Sequence, residues 1–204
     1  MIQPSSTFLT TLKTYKVGSL CPVHVGAGDI LLYMLGPAVI ALACNMYDKK
    51  KLMKENIKEV SVGITVSSVG GLLGTSYLVR LLNICNPILR LSCLSRNITS
   101  PLAMAIASIL GGDVSLAVSM VVITGLIGAN FGANILSSMN IMDPVARGLS
   151  IGSAAHGLGT AAFKDEKDAF PFAAIGMALT ASFCTVLVSI PVVKQLVTKI
   201  ALGF

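Results

Sequence analysis

Charge is scarce in this chain of 204 residues: nine acids and fifteen bases make up 12% of it, against about a quarter in ordinary globular domains. So little polar surface cannot wrap a soluble domain of this size, which removes the soluble enzyme classes first. Tryptophan is absent and aromatics reach only 5%. The net charge of +6 therefore has no aromatic-basic platform beside it, and nucleic acid is excluded as a partner. The five cysteines, Cys21, Cys44, Cys85, Cys93 and Cys184, are odd in number and contain no C-x-x-C spacing, so they read as reduced packing residues. The sequence offers no metal-ligand cluster and no phosphate loop. Neither metal nor cofactor is expected, and the chain does not read as an enzyme.

What the sequence has is apolar length. Hydrophobic residues make up 54% of the chain, and the mean hydropathy is +0.82. They fall in long blocks without the seven-residue period of a coiled coil. The fold class expected is all-α, a polytopic transmembrane helical bundle whose solvent is the lipid bilayer. Spans are predicted over residues 30–47, 60–79, 114–138 and 169–193, each at or near the roughly 20 residues that cross a hydrocarbon core. Nineteen glycines suit close helix packing, with Gly70/Gly74 and Gly128/Gly132 as small-x-x-x-small seams.

Two further segments are apolar but interrupted. The first starts at Asn86-Pro87, passes Arg96 and breaks at Asn97-Ile98-Thr99-Ser100-Pro101. The second starts at Asp143-Pro144, carries Arg147 and breaks at His156-Gly157-Leu158-Gly159-Thr160. Both open with an Asx N-cap and a proline at the first helical position. A helix inside lipid breaks only where protein or a water-filled cavity covers the freed backbone groups, so a matched pair of breaks predicts a shared cavity. Sequence leaves open whether each segment crosses the membrane, giving parallel repeats, or re-enters it, giving inverted ones.

Half-helix starts favour anions, but one dipole, at about 0.3 to 1 kcal/mol and up to about 2 when partly buried, cannot return the hydration a carboxylate loses. Full charges must help. Arg96 and Arg147 either do so or snorkel to the interface, and His156 is the titratable residue that would carry a coupling proton. Asn97, Thr99, Ser100 and Asn130 are hydroxyl-pairing candidates. Ser153, Gly157, Gly159 and Thr160 complete the candidate substrate-binding set around the second break. Ser153 and His156 share a helical face, yet no carboxylate is placed to orient them as a hydrolase pair.

The stretch Asp143-Pro144-Val145-Ala146-Arg147-Gly148, continued by Ala155-His156-Gly157-Leu158-Gly159-Thr160-Ala161, resembles the signature of the LrgB family, which includes bacterial antiholin-like proteins. Leu94 to Ala103 is similar to that family's other polar break. Gly26 to Leu31 and Gly125 to Phe131 resemble its plant, plastid branch. Ser95 stands where the family usually has proline, and Ala155 where it usually has serine. The resemblance implies transport of small hydroxy-monocarboxylates, glycolate and glycerate, across the chloroplast inner envelope, proton-coupled or by exchange. Its alternative is an antiholin-like regulator of murein hydrolase export in a bacterial plasma membrane. It also implies an LrgA-like membrane partner or fused region, leaves room for a homo-oligomer, and assigns residues 29–204 to the transmembrane domain. Family members have further helices ahead of Ile30, so residues 1–28 are expected to be an internal loop or partial leader of a truncated product.

The bases at Lys49, Lys50, Lys51, Lys54 and Lys58 place that loop on the cytoplasmic or stromal side by the positive-inside rule. A single cysteine at Lys51 should react with a membrane-impermeant maleimide from that side. Labelling from the opposite side alone would reverse the orientation.

Overall fold

The computed structural model describes residues 50–203 and, ahead of them, residues 33, 37, 40, 41, 44, 47 and 48. The predicted span over 30–47 and the leading segment over 1–28 thus lie outside the continuously described part. From Lys51 onward the chain forms one compact unit. Its helices are α1 (Lys50–Glu55), α2 (Ile57–Leu81), α3 (Pro87–Ser92), α4 (Ser100–Leu110), α5 (Val114–Ser138), α6 (Pro144–Ala162), α7 (Phe170–Ser189) and α8 (Pro191–Leu202), with a 3-10 turn at Cys93–Ser95 after α3. Among the described residues there is no strand.

Three of these helices, α2, α5 and α7, are long and apolar enough to cross a membrane. Two coincide with the predicted spans. The third is shorter than expected: Pro191 starts a new helix, because its ring has no N–H to continue the ladder of α7, and Ile190 takes an extended conformation as the N-cap of α8. The small-residue seams also divide. Gly128 and Gly132 face α6, where any added Cβ would collide with Ala155 and Ile151. Gly70 and Gly74 meet no neighbour among the described residues. The close approach on α2 falls at Gly63 and Gly71 instead, against Leu149 and Asn97.

Both interrupted segments are re-entrant hairpins. Asn86 and Asp143 cap as predicted, their side chains accepting from the N–H groups of Ile88 and Ala146 at 2.9 and 2.8 Å. In the first hairpin, α3 and its 3-10 extension descend, residues 96–99 turn, and α4 returns. Its end comes back to its start: the N–H of Asp113 donates to Ser92 Oγ at 2.8 Å. In the second, the break is sharper than the predicted 156–159 stretch. The backbone leaves helical geometry at His156 alone (φ 44°, ψ −139°). The return leg then runs back over the first: a Cβ at Gly159 would collide with Ala155 Cβ and come 3.1 Å from Ile151 Cγ2, where a straight helix would hold those positions about 6 and 12 Å away.

The hairpins enter from opposite faces. α2 runs from a first face to a second, as does α7: Leu149 touches Gly63 on one and Gly176 on the other, and further along both Cys184 Sγ of α7 lies 3.9 Å from the Ser68 carbonyl of α2. α5 runs the other way. It passes His156 at Val121, Ala155 at Gly128 and Ile151 at Gly132. The first hairpin therefore hangs from the second face, after α2, and the second from the first face, after α5. Span plus hairpin is repeated with inverted topology, the alternative that the sequence left open. Single cysteines at Asn140 and Asp165 should label from one side of the membrane, and native Cys85, exposed between α2 and α3, from the other. Labelling of 140 and 165 from opposite sides would show that the second segment crosses.

Candidate functional site

The tips of the two hairpins meet. Asn97, buried in the turn of the first, directs its amide Nδ2 at the carbonyl of Ser153 in the second, 3.5 Å away. The same amide lies against Gly71 of α2, where a Cβ would come within 2.6 Å of Nδ2. Only glycine lets α2 pass the tip this closely. Ser153 turns its hydroxyl back on its own helix, donating to Leu149 O at 2.6 Å.

His156 is 4% exposed. Its Nε2 is 2.8 Å from Val121 O on α5, so Nε2 carries the proton and donates it to that carbonyl. Thr160 Oγ1 donates to the His156 carbonyl at 2.8 Å, capping the reversed strand of backbone. A side chain other than glycine in this backbone region costs on the order of 1 to 3 kcal/mol. Two hydrogen bonds hold the turn against that cost. Gly157 lies beside Met177 on α7. Ser153 and His156 address different carbonyls, so the structure does not pair them as nucleophile and base.

Around the first tip, Thr99 is the N-cap of α4 with no side-chain capping bond, and Thr99 and Ser100 are half-buried. Arg96 sits three residues ahead, half-buried, its guanidinium without a hydrogen-bond partner among the described residues.

Two candidates are placed elsewhere. Asn130 is on the exposed side of α5, its amide donating to Leu126 O one turn back at 2.7 Å, as buried-helix amides do when no other partner is near. Arg147 is at the mouth of the second hairpin on the first face. It donates through Nε and Nη2 to both oxygens of Glu166 at 2.8 and 2.7 Å, and through Nη1 to Ile141 O at 2.9 Å. This clasp ties the start of the hairpin to its end. Glu166 was concealed in sequence within a polar loop, because nothing in the spacing pairs positions 147 and 166 until the chain folds back at His156.

Arg147 has a counterpart, and it is Arg90 rather than Arg96. Asn86-Pro87-x-x-Arg90 repeats as Asp143-Pro144-x-x-Arg147. Arg90 ties the mouth of the first hairpin on the second face, donating to Ile84 O and, at 3.1 Å, to Ala201 O at the end of α8. The sequence-based expectation that Arg96 and Arg147 act together on one charge is corrected accordingly.

The chain matches the family model described as LrgB-like over residues 7–194. It is 44% identical over 172 residues, 83% of this chain, to plastidal glycolate/glycerate translocator 1, chloroplastic, of Arabidopsis thaliana. It spans about a third of that relative's length, 33%. No solved structure matches.

The Arg147 guanidinium beside it holds the Glu166 carboxyl below its ordinary range. A lowered carboxylate pKa contributes stability above the unfolded value, near 4.5, and loses it as pH falls through the folded one. Glu166→Gln should lower the neutral-pH stability in detergent by about 1 to 2 kcal/mol, a value reduced for the partial exposure of Glu166. The gap from wild type should close below about pH 4.5. A constant gap across that range, read by thermal unfolding, would show that the clasp carries no ionic contribution.

Proposed function

The chain belongs to the LrgB-like family, and we propose from that premise that it forms the substrate-conducting part of a transporter for small hydroxy-monocarboxylates such as glycolate and glycerate. One observation carries the reading: two half-length hairpins, entering from opposite faces, meet at Asn97 and Ser153 inside the bundle. Membrane proteins that only scaffold or regulate have no need to bury broken backbone at this depth, whereas a transporter needs such a place to strip water from its cargo.

The anion end of the path is the start of α4. Its exposed N–H groups and positive dipole end lie beside the free Arg96 guanidinium, and the Thr99 and Ser100 hydroxyls are available to the hydroxyl group of the acid. Charge-assisted bonds of about 1.5 to 3 kcal/mol each would offset the lost hydration. Gly157 and Gly159 on the return leg of the second hairpin bring a second set of N–H groups to the same depth. Arg147 and Arg90 act as clasps at the two mouths, and Asn130 lies outside the path.

The name of the relative supports the substrate class and a chloroplast location; the membrane proposed is the inner envelope. Movement is by exchange of one carboxylate for another or by proton symport, with His156 as the titratable residue at the tip. An LrgA-like partner or fused region and a homo-oligomer complete the proposed assembly.

Uptake of labelled glycolate into proteoliposomes tests this. Arg96→Gln should raise KM about 10- to 100-fold, the loss of one charge-assisted bond, while Arg96→Lys should retain part of the affinity. Equal uptake by wild type and Arg96→Gln at limiting substrate would remove Arg96 from the path. His156→Gln should insert normally but lose its response to an imposed pH gradient; an unchanged response would assign His156 to packing alone.

A further inference from the structure

Where the hairpin tips meet, several oxygen atoms are buried without partners. Ser68 Oγ on α2, Thr180 Oγ1 on α7 and Asn97 Oδ1 at the first tip are enclosed and make no hydrogen bond among the described residues. Their residues are 0%, 1% and 6% exposed. Ser76, Thr185 and Ser189 in these helices bond the carbonyl one turn back at 2.7 to 2.8 Å, whereas the hydroxyls of Thr75 on α2 and Thr198 on α8, away from the tips, are also without a partner among the described residues. Ser68 and Thr180 forgo that bond in an environment where an unpaired polar atom is expensive.

The three oxygens lie at one level. α2, the entering leg of α6, and α7 run parallel, in contact at Gly63, Leu149 and Gly176. Ile64 packs with Leu149 in one apolar cluster, and Leu149 touches Gly176; four residues beyond these three, on the same faces, are Ser68, Ser153 and Thr180. Asn97 reaches this level from the other side, through its contact with the Ser153 carbonyl. Ser68 is the twelfth of the 25 residues of α2 and Thr180 the eleventh of the 20 of α7, so the level is the middle of the membrane.

We propose that these oxygens, with the Ser153 carbonyl, form a binding site for a monovalent cation of the size of Na⁺. Every candidate ligand is a neutral hydroxyl, amide or backbone oxygen. That donor set suits a hard ion of single charge. A divalent ion would need carboxylates to replace its hydration, and among the described residues none is at this level; a soft metal would need sulfur or imidazole, but Cys184 Sγ is directed at the Ser68 carbonyl and His156 Nε2 is bonded to that of Val121. The entering leg of α6 also ends here, directing the negative end of its dipole and its last carbonyls toward the tip.

Access comes from the first face. A cleft of about 300 Å³ between α2 and α6 carries Glu59 and Asp143 and continues inward along Ser67 and Ser150, one residue from Ser68 and three from Ser153. Two carboxylates on this cleft attract a cation and repel the anionic substrate. The cation and the carboxylate thus approach the tips by different routes, and together they bring no net charge to the midplane.

Binding is measured without substrate, so the outcome is independent of whether the chain transports glycolate. The purified full chain in detergent is melted in NaCl, LiCl, KCl and choline chloride at equal ionic strength. At about tenfold saturation Na⁺ should raise the midpoint by about 4 °C over choline, and K⁺ should raise it less. Ser68→Ala/Thr180→Val should melt cooperatively at or above the wild-type midpoint in choline, since it removes two orphaned hydroxyls, and should lose the Na⁺ response. Identical wild-type midpoints in all four salts would overturn the site and leave the oxygens to a trapped water. A Na⁺ response that survives in the double variant would overturn it equally, placing the ion elsewhere.

Discussion

Every backbone N–H and C=O within the hydrocarbon must find a partner, and this requirement shapes the molecule more than any side chain does. Three spans satisfy it by themselves. The two hairpins do not: each reverses direction in the interior and leaves unpaired groups at its tip, tolerable only because α2, α5 and α7 enclose them. The glycines of α6 that face α7 follow from the same need. Gly148 and Gly152 lie so close to the backbone of Ala169 and Ala173 that any side chain would strike it. Association in lipid gains little from burying apolar surface, and contact of this closeness supplies the dispersion energy in its place.

Within that enclosure the charges are divided by task. Arg90 and Arg147 occupy equivalent positions in the inverted repeats and close the hairpin mouths on opposite faces, one onto carbonyls and the other onto Glu166. Glu166 neutralises Arg147, and carbonyls at its own mouth occupy the donors of Arg90, so neither guanidinium is left open to a ligand. Arg96 is, and it lies near a tip rather than a mouth. A charge held at a mouth can be paired cheaply near water, whereas one held near a tip is costly and belongs where an anion will meet it.

Much of this was legible in the residues. Uninterrupted apolar length located α2 and α5, Asx-Pro pairs marked the hairpin starts, and polar or glycine-rich stretches marked both tips. These are local properties, carried by a few adjacent residues. The end of α7 was misread because hydropathy continues through Pro191 while the hydrogen-bond ladder does not. Gly70 and Gly74 form a small-residue stripe that meets no described residue, since spacing reports a stripe without saying which way it faces. Long-range consequences of the folds at residues 96–99 and at His156 were out of reach: the Arg147–Glu166 clasp, the equivalence of Arg147 with Arg90, and the common level of Ser68, Ser153 and Thr180. Each depends on a reversal of direction that a linear pattern does not encode.

The re-entrant geometry also bears on how the chain is threaded into its bilayer. Because the second hairpin returns to the face it left, the five charged residues from Lys164 to Asp168 stay on the side where the chain already is and never traverse lipid. Among the described residues only α2, α5 and α7 demand translocation. The hairpin itself has nothing to dock on until α7 is in place, since its glycines pack on Ala169, Phe172 and Ala173 at the start of that helix. Assembly of the site is therefore deferred until α7 crosses: the second hairpin closes on the cavity only after the last of these three spans has been delivered.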